Sequence, residues 1–225
     1  MKLEYTTYQG DLSVRPTHVV ILLHGYGSHA GDLITLAPEM ASYLPKGTFF
    51  ISVQAPFPSE AGIPGGWQWF SLQGELDEEI ALERASKAEK ILGQFLQETL
   101  QEYSIASANA AIVGFSQGSM MALHYGLRQP NNWAAIVGYS GRLVGKDSLV
   151  NEFKSKPKIC LIHGNEDVVV PPVCMQEAKQ ALQAIGIDAK TYLRPKLGHG
   201  IDLMGIKIGA EFIKEAFNNP VAIAS

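Results

Sequence analysis

The sequence predicts an α/β fold, a mainly parallel central sheet with helices on both faces, in a single domain covering residues 1–225. Three observations carry this expectation. Short apolar runs alternate with longer segments whose apolar residues recur every three or four positions. Most of those short runs are continuous rather than alternating, as in strands buried on both faces. The chain has 225 residues, of which 46% are hydrophobic, enough to bury one substantial core.

Taken in order, Leu3–Tyr8 reads as an antiparallel edge strand. Parallel strands are expected at Thr17–Leu23, Thr48–Val53, Ala108–Val113, Trp133–Gly138, Lys158–Ile162 and Ala189–Leu193. Helices are expected at Asp32–Leu44, Leu76–Tyr103, Gln117–Leu127, Val173–Ala184 and Ile201–Phe217. The longest opens on Asp77, Glu78 and Glu79, where carboxylates complement the positive end of the helix dipole. Pro38 has no amide hydrogen, so it should kink or restart the first helix. Between Gln54 and Leu72 lies an irregular stretch rich in Pro, Gly and aromatics. A loop that long in a compact domain is usually functional.

Composition excludes several classes. Lys plus Arg is 18 and Asp plus Glu is 22, a net charge of −4, which gives no basic face for nucleic acid. Lys154, Lys156 and Lys158 alternate with Ser155 and Pro157 and read as a solvated approach to a strand. The longest apolar run, Val19 to Leu23, is far short of the roughly 20 residues that span a membrane. Residues Met1 to Thr6 contain no apolar h-region, so a cytoplasmic protein without membrane insertion is expected. Cys160 and Cys174 form no CxxC and join no His/Cys cluster of zinc spacing. They read as reduced thiols, and no metal is expected.

The chemistry is carried by four motifs. Gly114-Phe115-Ser116-Gln117-Gly118 matches G-x-S-x-G, with an apolar strand before it and a helical pattern after it, as a nucleophile elbow requires. Ser140, in Gly138-Tyr139-Ser140-Gly141, lacks the second glycine at that offset and reads as a structural turn. In the chain order serine, acid, histidine that this elbow implies, only His163 and His199 follow Ser116. His199 is favoured, because an acid must fit between the two and because Gly198 and Gly200 free its backbone. Asp167 is the chosen acid on the loop His163 to Pro171, with Glu166 beside it as the alternative; its carboxylate would fix the histidine tautomer. The turn Leu22-Leu23-His24-Gly25-Tyr26-Gly27-Ser28 exposes backbone amides after a strand. An oxyanion hole would pair the N–H groups of Tyr26 and Gln117. It is not a dinucleotide loop, since Ala30 stands where the third glycine belongs. All four motifs fall beyond the carboxyl ends of predicted parallel strands, on the edge where such sheets bind ligands.

With these motifs in view, the chain resembles the phospholipase/carboxylesterase family of small α/β hydrolases, which includes the acyl-protein thioesterases. The resemblance runs from about Thr17 to the last helix. It rests on LLHGYGS followed by Gly31-Asp32, on GFSQGS, on Tyr139-Ser140-Gly141, on HGNEDVVVP and on GHG. It implies an α/β-hydrolase fold without a large cap domain, a Ser116–Asp167–His199 charge relay, and no cofactor. The chain departs from the family pattern at Tyr26, where Leu is frequent, and at Ser28, where an acid is frequent. It departs again at Trp69-Phe70-Ser71, where the family segment ends in Asp.

The expected activity is hydrolysis of carboxylic esters through an acyl-enzyme, on short-to-medium acyl chains. The alternatives are an acyl-protein thioesterase, a lysophospholipase, or a non-catalytic binding protein of the same fold. The partner is accordingly a small-molecule ester or thioester. Trp67, Trp69 and Phe70, with Phe57 and Ile63, are expected to wall an acyl chain. The sequence selects no oligomeric state, a dimer included.

Overall fold

The computed structural model describes residues 3–11, 13–74 and 77–219. Its strands are β1 (Tyr5–Gln9), β2 (His18–Leu23), β3 (Thr48–Val53), β4 (Phe57–Pro58), β5 (Trp67–Gln68), β6 (Ala110–Phe115), β7 (Ala135–Tyr139), β8 (Lys158–Gly164) and β9 (Lys190–Arg194). Its helices are α1 (Ala30–Leu33), α2 (Ala37–Ala41), α3 (Glu78–Tyr103), α4 (Gln117–Arg128), α5 (Leu149–Glu152), α6 (Val173–Ala184) and α7 (Leu203–Asn218). Seven strands form one sheet in the order β1-β3-β2-β6-β7-β8-β9. β1 runs antiparallel to β3, and the other neighbours are parallel.

Strand alternation divides the core into two layers. Val19, Ile21 and Leu23 of β2 face the side covered by α3, α4 and α6, with Leu92, Met121 and Leu182 among the buried contacts. Val20 and Leu22 face the side covered by α1, α2 and α7, against Leu33, Met40 and Ile213. Continuous apolar strands therefore report a sheet buried on both faces. The exceptions are the two edge strands, β1, where Tyr5 is exposed, and β9, where Tyr192 and Leu193 are exposed.

Two expectations need correction, and a third falls partly outside the described residues. The helix expected over Asp32–Leu44 is α1, a 3₁₀ turn at Ile34–Leu36, and α2. Pro38 stands in the first turn of α2, so the proline restarts the helix where its missing N–H costs nothing. The start at Leu76 lies outside the described residues; α3 begins at Glu78, with Asp77 as N-cap accepting from the Ile80 amide at 2.8 Å. The stretch from Gln54 to Leu72 is not wholly irregular, because β4 and β5 pair as a short hairpin within it. Among the described residues, no inserted segment forms a cap domain.

Candidate active site

Ser116 sits between β6 and α4 with φ 53° and ψ −118°, a positive φ that strains any residue with a side chain. The turn is held by the Ser116 amide, which donates to Tyr139 O at 2.9 Å, and by the Met120 amide, which donates to Ser116 O at 3.1 Å. Both flanking glycines are sterically required. A Cβ on Gly118 would lie 1.9 Å from Leu23 O, and one on Gly114 would lie 2.3 Å from Gly118 O. The motif is thus a packing solution that brings α4 onto β2 and β6 and leaves the Ser116 hydroxyl at the sheet rim.

At that rim the Ser116 Oγ lies 3.0 Å from His199 Nε2, and His199 Nδ1 lies 2.8 Å from Asp167 Oδ2. The second carboxylate oxygen, Asp167 Oδ1, accepts from the Val169 and Val170 amides, both at 2.9 Å. Burial pushes the Asp167 carboxyl upward. The bonds from His199, Val170 and Val169 outweigh it and hold the group below its ordinary 3.8. Asp167 therefore stays ionised well into acid. Glu166, the alternative acid, is exposed, and its carboxylate makes no hydrogen bond among the described residues. Its backbone N–H instead donates to Leu197 O at 2.9 Å.

His163, the other histidine after Ser116, is buried below the pair. Its Nε2 lies 2.7 Å from Val170 O, so that nitrogen carries the proton, and 3.3 Å from Asp167 Oδ2. This contact to the acid was not foreseen from sequence, although four-residue spacing from His163 to Asp167 was visible. The loop carrying His199 is stitched to the acid loop at Gly164, where a Cβ would lie 2.2 Å from Leu197 O. Its far end is clamped by Arg194 on Asp202, with Nη2 to Oδ2 at 3.0 Å, and Asp202 caps α7 through the Gly205 amide at 2.7 Å.

The glycine-rich turn after β2 is equally braced. Buried His24 donates from Nδ1 to Gly25 O at 2.8 Å and accepts at Nε2 from the Ala55 amide at 3.1 Å. Burial lowers its imidazole to about 4, against the smaller upward pull of the Gly25 bond. Among the described residues, the backbone N–H groups of Tyr26 and Gln117 donate to no protein acceptor.

The aromatic loop behaves differently from expectation. Trp67 is half-buried and bridges to the turn, its N–H donating to Ser28 O and its carbonyl accepting from the Gly27 N–H, both at 2.8 Å. Trp69 and Phe70 are 0% and 1% exposed and pack in the core, although Phe70 still borders the groove lined by Phe57, Pro58 and Arg84. Trp69 turns inward because its indole N–H bonds the buried His24 carbonyl at 2.8 Å. Phe57 and Ile63 stay exposed, and Ile63 covers Gly27, where a Cβ would lie 2.8 Å from Ile63 Cδ1. On the acid loop, Val168 and Val169 also present exposed apolar side chains.

At the two serines standing where acids are frequent in the family, a carboxylate approaches from elsewhere. Ser28 Oγ donates to Asp32 Oδ2 and Ser71 Oγ to Glu60 Oε2, each at 2.6 Å. Among the described residues, no three His, Cys, Asp or Glu side chains group as a metal site. No described helix is long and apolar enough to cross a membrane.

A mainly parallel seven-stranded sheet with a serine elbow between β6 and α4 defines an α/β hydrolase. Within that class, the chain belongs to the phospholipase/carboxylesterase family, which it matches over residues 12–217. It is 29% identical over 199 residues to esterase YpfH of Escherichia coli (strain K12), covering 87% of this chain and 82% of that one. It is 28% identical over 176 residues to acyl-protein thioesterase 1 of Schizosaccharomyces pombe, covering 72% of this chain and 73% of that one. The crystal structure of esterase PE8 superposes with a TM-score of 0.89 at 36% identity, covering 96% of this chain and all of that one.

Proposed function

We propose that this protein is a cytoplasmic serine carboxylesterase working as one domain, with Ser116 as nucleophile, His199 as base and Asp167 as orienting acid. The observation that carries this reading is the continuous path from Ser116 Oγ through His199 to Asp167 Oδ2. Ser116 Oγ attacks the ester carbonyl carbon while its proton passes to His199 Nε2. The C–O bond to the alcohol then breaks, and His199 returns the proton to the departing oxygen. Water, deprotonated by the same nitrogen, attacks the acyl-enzyme and regenerates Ser116. Asp167 accepts from His199 Nδ1–H throughout, and the Tyr26 and Gln117 amides bind the oxyanion.

With Trp69 and Phe70 buried, the side chains offered to an acyl chain are Phe57, Ile63 and Trp67. This wall suits short-to-medium chains, each buried methylene contributing about 0.8 kcal/mol at most. A thioester substrate is the second reading, favoured by the similarity to acyl-protein thioesterase 1 of Schizosaccharomyces pombe. The deciding experiment is labelling with a serine-reactive fluorophosphonate. The expected adduct is on Ser116, and folded protein that takes no label would mark a non-catalytic binding module instead.

Activity is expected to survive exhaustive chelation, since the proposed relay uses only Ser116, His199 and Asp167. Stability is expected to fall in acid. His24 binds its proton near 6.5 when unfolded but only at about 4 when folded, so stability is full above 6.5 and erodes as pH drops toward 4. Asp167, whose folded value is depressed, adds a loss only below the ordinary carboxylate range. The checks are kcat with and without EDTA, and urea midpoints measured against pH. EDTA inactivation reversed by a divalent ion would oppose the mechanism.

A further inference from the structure

Trp69 touches both chain segments that supply the amides for the oxyanion, and it does so from a fully buried position. Its indole Nε1–H donates to His24 O at 2.8 Å, on the turn that leads to Tyr26. Its backbone N–H donates to the Gln117 side-chain Oε1 at 2.8 Å, and Gln117 Nε2 donates to Phe70 O at 2.7 Å. The indole also packs on the His24 ring, with centroids 5.7 Å apart. The two segments are distant in sequence and belong to different elements, one following β2 and the other opening α4. Gly118 permits their approach, since a Cβ there would lie 2.6 Å from His24 O. A glycine gives closeness without direction. Beyond the β2–β6 ladder, which ends at Leu23 and Gly114, the directional bonds across the gap among the described residues run through Trp69.

Two amides from separate segments stabilise one developing oxyanion only when their spacing is held to about 0.5 Å. We propose that Trp69 is a positioning residue that holds the Tyr26 and Gln117 amides in register, acting through His24 and the Gln117 side chain. It does not touch the acyl chain. The proposal rests on the esterase reading above and adds a residue to it. Because the oxyanion exists only in the transition state and the intermediates near it, loosening this bridge lowers kcat and leaves ground-state binding alone.

Two variants test it. Trp69→Phe keeps an aromatic ring in the buried space and removes the indole N–H. Gln117→Met keeps both the Gln117 amide and the indole, and removes the side-chain bonds to Trp69 and Phe70. After circular dichroism confirms folding, kcat and KM are measured on p-nitrophenyl esters from acetate to octanoate. Both variants are expected to lose about tenfold or more in kcat, as misplaced catalytic groups do. The loss should be the same factor at every chain length, with KM within about twofold of wild type.

Wild-type kcat in folded Trp69→Phe overturns the proposal. So does a loss that varies with chain length, which would make Trp69 an acyl contact. Should Trp69→Phe fail to fold, Gln117→Met decides by the same two criteria. Ser116→Ala is assayed alongside, because wild-type turnover there would overturn the esterase reading itself and so separates the two failures.

Discussion

Ser116→Ala is expected to abolish hydrolysis of a simple aryl ester, by about 10⁶ in kcat if the relay behaves as serine-protease triads do. What survives should be the weaker catalysis that the amides and substrate binding supply unaided, about 10³–10⁴ over water. Ser140→Ala is the matched control at the end of the neighbouring strand. Ser140 also has a positive φ, 46°, and its amide donates to Ile162 O at 2.9 Å, so its backbone mimics that of a functional turn. Its side chain does not. The residue is 1% exposed, and its Oγ is buried without a hydrogen-bond partner among the described residues. Among the described residues, no histidine nitrogen lies within hydrogen-bond distance of that Oγ, so no base is placed to activate it. Removing an unsatisfied buried hydroxyl also costs no hydrogen bond, so the variant should fold at least as well as wild type. Its kcat should stay within about a factor of three. A dead but folded Ser140→Ala, beside an active Ser116→Ala, would reverse the nucleophile assignment.

The residues that were legible in the sequence share one physical property: their placement is decided by local chain geometry. Val19–Leu23 and Ala110–Val113 are continuous apolar runs because the sheet is covered on both faces, so the buried strands could be read directly. Once the strands are placed, their carboxyl ends define a rim, and the turns bearing Tyr26, Ser116, Asp167 and His199 must lie along it. Residues whose fate depends on distant partners were not legible. The N-terminal turn of α1 is fixed by Gln54, whose Oε1 accepts from the Ala30 amide at 2.8 Å. No helical periodicity encodes that bond. Trp69 and Phe70 sit in a loop rich in Gly and Pro, which locally reads as surface. Their burial is set by His24 and Gln117, each more than 40 residues away in the chain. The contact of His163 with Asp167 belongs to the same class, because it depends on how the loop turns back to place Val170 O beside the His163 ring.

Asp167→Asn is expected to cost about 10⁴ in kcat, the loss that the equivalent change brings in a serine-protease triad. The local hydrogen bonds say why. Asp167 Oδ1 accepts from two backbone amides, Val169 and Val170, at 2.9 Å each. An asparagine must keep its carbonyl oxygen there, because the opposite flip sets an NH₂ group against two N–H donors. Each buried donor left unpaired costs about 1–3 kcal/mol. The NH₂ group is therefore forced toward His199 Nδ1, which becomes an acceptor, and the ring proton moves to Nε2. In that tautomer Nε2 can no longer take the proton from Ser116. The same NH₂ also meets His163 Nε2–H, which lies 3.3 Å from Asp167 Oδ2 and is already committed as a donor to Val170 O. Some loss of stability should accompany the loss of activity for that reason. Glu166→Gln changes none of this, since the Glu166 side chain is exposed and only its backbone N–H is engaged, with Leu197 O. Its kcat should stay within about a factor of three of wild type. Both variants are purified, their folding is checked by circular dichroism, and kcat is measured on one aryl ester. A crippled Glu166→Gln beside a near-normal Asp167→Asn would make Glu166 the orienting acid and leave the carboxylate beside His199 without a catalytic role.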